Sequence, residues 1–139
     1  MPGFKVALDK NALLRCISRK SAYSTVLRKL YRNQYELSVT TGILLEYEEK
    51  IEEIFSRETA ELIIGSLLLL PNVKKVDPYF HLNLISDDWD DNKFVDCAFA
   101  ANVHIIVTDD KHFSALKKSG FPQIQIKTLD EFKELIDLQ

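Results

Sequence analysis

The sequence predicts an α/β fold, a three-layer α/β/α sandwich with a central, mostly parallel sheet of about five strands. Two observations support this prediction. Short apolar runs of strand length alternate along the chain with longer segments of helical periodicity, which is typical of parallel sheets with helices on both faces. The 139 residues contain no repeat, low-complexity tract or linker, so we expect a single domain spanning residues 1–139.

The predicted strands are short apolar runs bounded by polar or turn-forming residues. The first run, FKVAL, ends abruptly at Asp9, and the fourth, HIIV, is followed by Thr108 and two aspartates. Both runs suit buried strands, whereas the second, YELSV, alternates like a strand. Strands are predicted at residues 4–8, 35–39, 73–76, 104–107 and 123–126.

Helices are predicted where apolar residues recur at helical spacing after a residue able to cap the first turn. Asp9 or Asn11 can cap the first helix, Thr40 or Thr41 the third, and Thr128 the last. The segment from residue 77 to 90 is instead polar and turn-rich. Helices are predicted at residues 12–19, 21–32, 41–55, 57–70, 92–101, 111–118 and 129–138.

Composition indicates an ordinary globular protein rather than one that binds nucleic acid through bulk positive charge. Apolar residues make up 46% of the chain and charged residues 28%, with a formal net charge of −3. A nuclease remains compatible with this charge, because a bound divalent metal offsets clustered carboxylates locally. Cys16 and Cys97 are not in a CxxC spacing and histidine is scarce, which disfavours a structural zinc site.

The sequence has no pattern that predicts export or membrane insertion. The N-terminus lacks the basic and apolar regions of a signal peptide. The most apolar stretch, residues 62–70, is interrupted by Gly65 and Ser66 and is far shorter than the ~20 residues needed to cross a bilayer. We therefore expect a cytoplasmic protein with no membrane partner.

Acidic residues follow two of the predicted strands directly. Asp9 comes after the first strand, and Asp109 and Asp110 come after the fourth, separated from it only by Thr108. In open parallel sheets, functional residues lie beyond the carboxyl ends of strands, where the strand order switches. We therefore expect these carboxylates to share one edge of the sheet.

Further acids lie near the starts of two predicted helices. Glu46 is about one turn into the helix after the second strand, Asp90 and Asp91 lie at the start of a later helix, and Asp96 lies about a turn further along. Carboxylates gathered within a few ångströms repel one another unless a cation neutralises them. Mg²⁺ prefers oxygen ligands of this kind, and a bound metal can activate water for phosphodiester hydrolysis without histidine or cysteine.

Each acid has a simpler explanation when it is considered alone. Asp9 can be a helix cap, and Asp90 and Asp91 can be favourable charges at a helix N-terminus. The joint pattern, with carboxylates after two strands and at two helix starts, favours a functional site.

Four segments resemble, in the same order, the four motifs of the PIN domain family. They are VALDKNALL at residues 6–14, LLEYEE at 44–49, DDNKFVDCA at 90–98 and IVTDDKHF at 106–113. The resemblance spans nearly the whole chain and is greatest to the VapC-like ribonucleases, the toxin components of toxin–antitoxin pairs. It implies a PIN-like fold and Mg²⁺- or Mn²⁺-dependent cleavage of RNA, together with a cognate antitoxin partner and often a homodimer.

The resemblance also implies which side chains hold the metal and carry the catalysis. By their positions in the motifs, they are Asp9, Glu46, Asp91 and Asp110, with Asp96 as a fifth candidate. Asp91 and Asp96 either share the third role or divide it, and the sequence leaves this open.

Two residues depart from the family pattern. Lys10 stands where the family usually has threonine, and three roles are open to it: pairing with Asp9, contact with the scissile phosphate, or weakening of metal binding. Asp109 stands where many members have glycine, either as an acid that supports the ligands or as an extra exposed charge. Asn11 matches the family, in which this residue helps to order the site. We assign Lys10, Asn11 and Thr108 to substrate binding.

Two other functions compete with a ribonuclease. A catalytically silent PIN-like module would bind RNA or a protein without cutting, and Lys10 is the residue that best supports it. A receiver-like phosphoacceptor domain also gathers acids at strand ends, but its phosphorylated aspartate follows the third strand. Here that strand is followed by Asp77 and Pro78, without paired acids after the first strand, which disfavours a receiver.

Overall fold

Five parallel strands form a central sheet in the part of the chain that the structure describes. The structure, a computed structural model, describes residues 3–77, 89–110 and 124–138, with side chains from residue 95 onward in the second range. The strands are β1 (Lys5–Leu8), β2 (Glu36–Val39), β3 (Val73–Lys75), β4 (Ile105–Val107) and β5 (Gln125–Lys127). They pair in the order β3-β2-β1-β4-β5, and every neighbouring pair is parallel.

Helices cover both faces of this sheet. The described helices are α1 (Lys10–Ile17), α2 (Ser24–Tyr31), α3 (Thr41–Ile54), α4 (Arg57–Leu69), α5 (Trp89–Ala101) and α6 (Leu129–Asp137). The predicted α/β/α sandwich with a parallel sheet of five strands is therefore confirmed. None of these helices combines the length and apolar composition that crossing a bilayer requires.

The neighbouring strands β1 and β4 are buried from both sides. Val6, Ala7 and Leu8 of β1 and all of β4 are at most 1% exposed. A strand covered on both faces gains from apolar side chains at every position, so it is a continuous apolar run rather than an alternating one. This is why both strands are recognisable in the sequence.

One helix begins later than predicted. α2 starts at Ser24 rather than at residue 21. Ser21 forms a turn instead, in which its hydroxyl donates to the carbonyl of Arg15 at 2.6 Å and accepts from the amide of Tyr23 at 3.1 Å. A serine side chain that bonds to nearby backbone groups competes with helix formation.

Other boundaries differ by a few residues. α1 starts at Lys10 and α5 at Trp89, each earlier than predicted. The predicted helix at residues 111–118 and the first residue of the predicted strand at 123–126 lie outside the described residues.

β1 lies at the point where the strand order switches. The chain runs from β1 to β2 and β3 on one side, and it then returns to β4 on the other side of β1. In open parallel sheets, such a switch opens a crevice beyond the carboxyl ends of the strands concerned. Asp9 follows β1 and Thr108 follows β4, so both residues lie at this crevice.

Candidate active site

Asp9, Thr108 and Asp110 are joined at the carboxyl ends of β1 and β4. The register pairs Leu8 with Val107, which sets Asp9 beside Thr108. The Thr108 hydroxyl donates to Oδ2 of Asp9 at 3.0 Å and accepts from the amide of Asp110, also at 3.0 Å. A single buried hydroxyl therefore holds the Asp9 carboxylate and fixes the backbone of Asp110 next to it.

Asp9 is only 4% exposed, and this burial has the largest effect on the pKa of its carboxyl group. Loss of solvent raises the pKa of its carboxyl group above the ordinary value, and the nearby charge of Asp110 raises it further. The hydrogen bond from Thr108 and the positive charge of Lys10 act in the opposite direction. The Asp9 carboxylate is thus costly to keep ionised, and a cation would relieve that cost.

Glu46 is presented by α3, whose first turn is capped by Thr40. The Thr40 hydroxyl accepts from the amide of Ile43 at 3.0 Å, which fixes where the helix begins. Glu46 is buried on this helix, and its Oε1 lies 2.7 Å from the ammonium nitrogen of Lys10. Its Oε2 is also buried and accepts no hydrogen bond from the described residues.

Tyr47, which the sequence pattern does not mark as part of the site, connects α3 to the end of β1. Its buried hydroxyl donates to the carbonyl of Leu8, the residue before Asp9. Burial raises the pKa of this phenol well above its ordinary value, and the charges of Asp9 and Glu46 contribute in the same direction. In the sequence, Tyr47 is indistinguishable from an apolar core residue of the helix.

Asp96 is buried on α5, which packs against β1 and β2. Asp91 lies on the same helix, but its side chain is outside what the structure describes. Whether Asp91 and Asp96 share or divide the third role stays open.

Asp109 lies at the rim of the candidate site and is held by other groups. Its carboxylate forms an ion pair with Arg15 of α1, and its Oδ1 accepts from the amide of Leu129 at the start of α6, at 3.2 Å. Arg15 also stacks over the ring of Tyr23, 4.4 Å from its centre. Asp109 thus joins α1 to α6.

The residues assigned to substrate binding differ in exposure. Asn11 is exposed on the first turn of α1, and Lys10 beside it is partly buried. Thr108 is buried, and its hydroxyl is already engaged by Asp9 and Asp110. The Thr108 hydroxyl therefore positions Asp9 and Asp110, and its predicted contact with substrate stays a prediction.

The five predicted ligands are only partly brought together among the side chains that are described. Asp9 and Asp110 are joined through Thr108, and Glu46 lies against Lys10. No three acidic, histidine or cysteine side chains in the described ranges stand close enough to hold a metal ion. The convergence of all predicted ligands stays a prediction.

The donor chemistry nevertheless fits a hard divalent cation. The candidate ligands are all carboxylates, the oxygen donors that Mg²⁺ and Mn²⁺ prefer. The pKa of Asp9 is raised by burial, and one oxygen of Glu46 is buried without a described partner. A cation bound by Asp9 would offset the cost of ionising its buried carboxyl group, and a cation bound by Glu46 would give its second oxygen a partner.

Comparison with solved structures identifies several proteins of the same fold. VapBC of Salmonella typhimurium, solved bound to DNA, matches with a TM-score of 0.62 and 16% identity, over 91% of this chain and 99% of that chain. VapC20 of Mycobacterium tuberculosis, a toxin that cleaves the sarcin-ricin loop, matches with a TM-score of 0.58 and 12% identity, over 86% and 98% of the two chains. The PIN domain endonuclease Utp24 matches with a TM-score of 0.55 and 16% identity, over 92% and 86%.

Sequence comparison identifies the family. A search of curated protein sequences found no match. The sequence model of the PIN domain matches residues 5–112, which include β1, β4 and the residues that follow both strands. The chain therefore belongs to the PIN domain family.

Proposed function

We propose that this chain is a divalent-metal-dependent endoribonuclease that hydrolyses RNA phosphodiester bonds, and that it is the toxin of a toxin–antitoxin pair. The observation that carries the proposal is the buried Asp9 carboxylate at the switch point of a PIN fold, joined to Asp110 through Thr108. Placing an ionisable group in such a position is unfavourable for stability, and a catalytic role explains why the chain has it.

The proposed ligands of Mg²⁺ or Mn²⁺ are the acids Asp9, Glu46, Asp91, Asp96 and Asp110. When bound, the metal would activate water and stabilise negative charge on the phosphodiester group. Thr108 orients Asp9 and favours its ionised form.

Lys10 and Asn11 lie at the start of α1, next to Asp9. Both carry hydrogen-bond donors, and Lys10 adds a positive charge, so they are suited to contact the phosphate groups of RNA. Asn11 is the more exposed of the two and is therefore the more accessible to a substrate.

Two features support the proposed antitoxin partner. The structural relatives include VapBC of Salmonella typhimurium and the toxin VapC20. In addition, α4 exposes three leucines, Leu62, Leu68 and Leu69. Apolar side chains exposed on one element often mark a protein interface, which a cognate antitoxin or a second copy of the chain would cover.

Metal-dependent cleavage of a mixed RNA pool tests the proposal. The wild-type chain is expected to cleave RNA with Mn²⁺ and to leave it intact with EDTA. Asp9→Asn and Asp110→Asn are each expected to lower the rate by at least about 100-fold, since loss of groups that merely support metal ligands already costs 10–100-fold. Glu46→Gln has a matched control in Glu49→Gln, which changes an exposed acid on the same helix and is expected to leave the rate unchanged.

A silent binding module is the second candidate, and the Lys10–Glu46 ion pair favours it. A lysine against a candidate ligand neutralises that carboxylate without a metal. Binding of RNA by the wild-type chain with no Mn²⁺-dependent cleavage would establish this function and contradict the nuclease.

A further inference from the structure

We propose that the Lys10 ammonium is a built-in counterion for Glu46, so that a divalent metal has to displace Lys10 before Glu46 can bind it. The inference rests on the proposed function, because it concerns the same acids. It also goes further, since it assigns to one residue of this chain a direct effect on metal affinity.

The contact between the two side chains is close and shielded from solvent. Nζ of Lys10 lies 2.7 Å from Oε1 of Glu46, and the side chains are only 23% and 10% exposed. Two charges at this distance interact much more strongly in a protein interior than in water. The pair therefore differs from the exposed ion pairs of the surface, such as Lys50 with Glu53.

Glu46 depends on this contact in the described part of the molecule. Its second oxygen, Oε2, is buried and accepts no hydrogen bond from any described group. A buried carboxylate that loses its partner keeps the cost of desolvation without compensation. Removal of the Lys10 charge should therefore leave Glu46 in need of another cation.

Lys10 also acts on the neighbouring candidate ligand. It directly follows Asp9, and its charge favours the ionised form of that carboxylate. One ammonium group thus serves acids from two elements, Asp9 before α1 and Glu46 on α3. A divalent cation bound between them would meet the repulsion of this positive charge.

The inference predicts that Lys10→Thr binds metal more tightly and is less stable without it. Mn²⁺ is the probe, and its binding to the full chain is measured by isothermal titration calorimetry. Lys10→Thr is expected to bind at least about tenfold more tightly than wild type, an order-of-magnitude effect of removing one positive charge a few ångströms from the ion. In EDTA, the melting temperature of Lys10→Thr should be lower than that of wild type. Mn²⁺ should raise the melting temperature of Lys10→Thr by more than it raises that of wild type.

Two control variants separate this effect from a general change in charge. Lys50→Thr removes a lysine from the exposed pair on α3 and should bind Mn²⁺ as wild type does. Lys10→Arg keeps the charge and should not bind more tightly than wild type. If Lys10→Thr does not fold in EDTA, the double variant Lys10→Thr/Glu46→Gln, which removes both charges, should recover the stability.

The outcomes distinguish failure of the inference from failure of the proposed function. If wild type binds Mn²⁺ and cleaves RNA but Lys10→Thr binds no more tightly, the inference is wrong and the nuclease stands. If neither protein binds Mn²⁺, both proposals are wrong. If Lys10→Thr binds Mn²⁺ and wild type does not, the inference is supported and the nuclease function of the natural chain is contradicted. A double variant as unstable as Lys10→Thr would also overturn the inference.

Discussion

The pKa of the Asp9 carboxyl group is subject to opposing effects. Burial disfavours its ionised form, whereas the Thr108 hydroxyl and the Lys10 charge favour it. Because burial is the largest of these effects, the pKa in the folded protein is raised. A residue of this kind lowers stability at neutral pH, which is common where a site is organised for function.

Asp9→Asn should therefore stabilise the metal-free protein at neutral pH. Because the pKa of Asp9 is raised in the folded state, its contribution to stability is fully present below the ordinary aspartate value and is lost as pH rises through the folded value. Asparagine does not ionise, so Asp9→Asn does not lose this stability as pH rises, and its side-chain oxygen can still accept the hydrogen bond from Thr108. The advantage of Asp9→Asn over wild type should thus grow as pH rises, and urea unfolding in EDTA from about pH 3 to 8 measures it.

Asp137→Asn provides a control of opposite sign. Hydrogen bonds from Lys29 and then Lys133 lower the pKa of Asp137, so its stabilising effect is present at neutral pH and is lost as pH falls through the lowered value. Asp137→Asn should therefore be less stable than wild type at neutral pH. Equal pH profiles for Asp9→Asn and wild type would show that burial of Asp9 has no energetic consequence.

The start of α1, at the candidate site, differs from the starts of α3, α4 and α6. Thr40, Ser56 and Thr128 each accept a hydrogen bond from an amide of the first turn of α3, α4 or α6. Asp9 has the same position before α1, but it forms no side-chain cap of this kind, and its carboxylate accepts from the Thr108 hydroxyl as well as from the backbone of Lys10. A helix cap alone therefore does not account for the bonds of Asp9.

Asn72 joins three elements through one buried side chain. Its side-chain nitrogen donates to the carbonyl of Leu30 at 2.9 Å and to that of Tyr35 at 2.7 Å, and its backbone carbonyl accepts from the amide of Leu37 at 2.9 Å. These bonds hold the end of α2 and the start of β2 beside β3. The sequence does not indicate this role, because its partners lie 42 and 37 residues away.

Asn72→Leu should destabilise the protein by about 1–3 kcal/mol, the usual cost of leaving a buried polar group without its partner. The substitution keeps the branched side-chain shape but removes both bonds that the Asn72 amide donates, and the Leu30 carbonyl then keeps its backbone bond from the amide of Asn33. Chemical denaturation at constant pH measures the change. The control is Gln125→Leu, the same type of change at an exposed residue, for which about 0.5 kcal/mol or less is expected. Equal effects in the two variants would contradict the role of Asn72.

At the scale of the whole molecule, the last described helix is part of the main core. The ring of Phe132 on α6 packs edge-on against Tyr35, with centroids 5.1 Å apart and an angle of 90° between the planes. Both rings are fully buried, and the Tyr35 hydroxyl donates to the carbonyl of Val26 on α2. Lys29 of α2 also donates to the carbonyl of Ile136. These contacts predict that α6 unfolds together with the rest of the core.

Phe132→Ala should destabilise the whole protein by about 3–5 kcal/mol, the usual cost of a large cavity in a packed core. Circular dichroism and tryptophan fluorescence in urea should report one common transition at a lower midpoint. Leu138→Ala, at a residue that is 86% exposed, serves as the control and should change stability by about 0.5 kcal/mol or less. Separate transitions for the two probes would show instead that α6 unfolds independently.

What the sequence determined by itself is local or periodic in origin. The apolar runs FKVAL and HIIV predicted β1 and β4, and the position of Asp9 and Asp110 after them predicted which edge of the sheet carries acids. These predictions succeed because a strand buried on both faces is a nearly continuous run of apolar residues, which is visible in the sequence. The start of α2 was wrong because the Ser21 hydroxyl bonds to Arg15, six residues earlier, and such a bond leaves no periodic signal.

The tertiary structure alone decided how distant residues meet. Lys10 was open to three roles, and it pairs with Glu46 because α1 and α3 pack side by side. Thr108 binds Asp9 because β1 and β4 are neighbours, an order that depends on how the whole chain crosses the sheet. Ion pairs and hydrogen bonds between such residues depend on strand order and helix packing, which result from burial of the complete core rather than from any local segment.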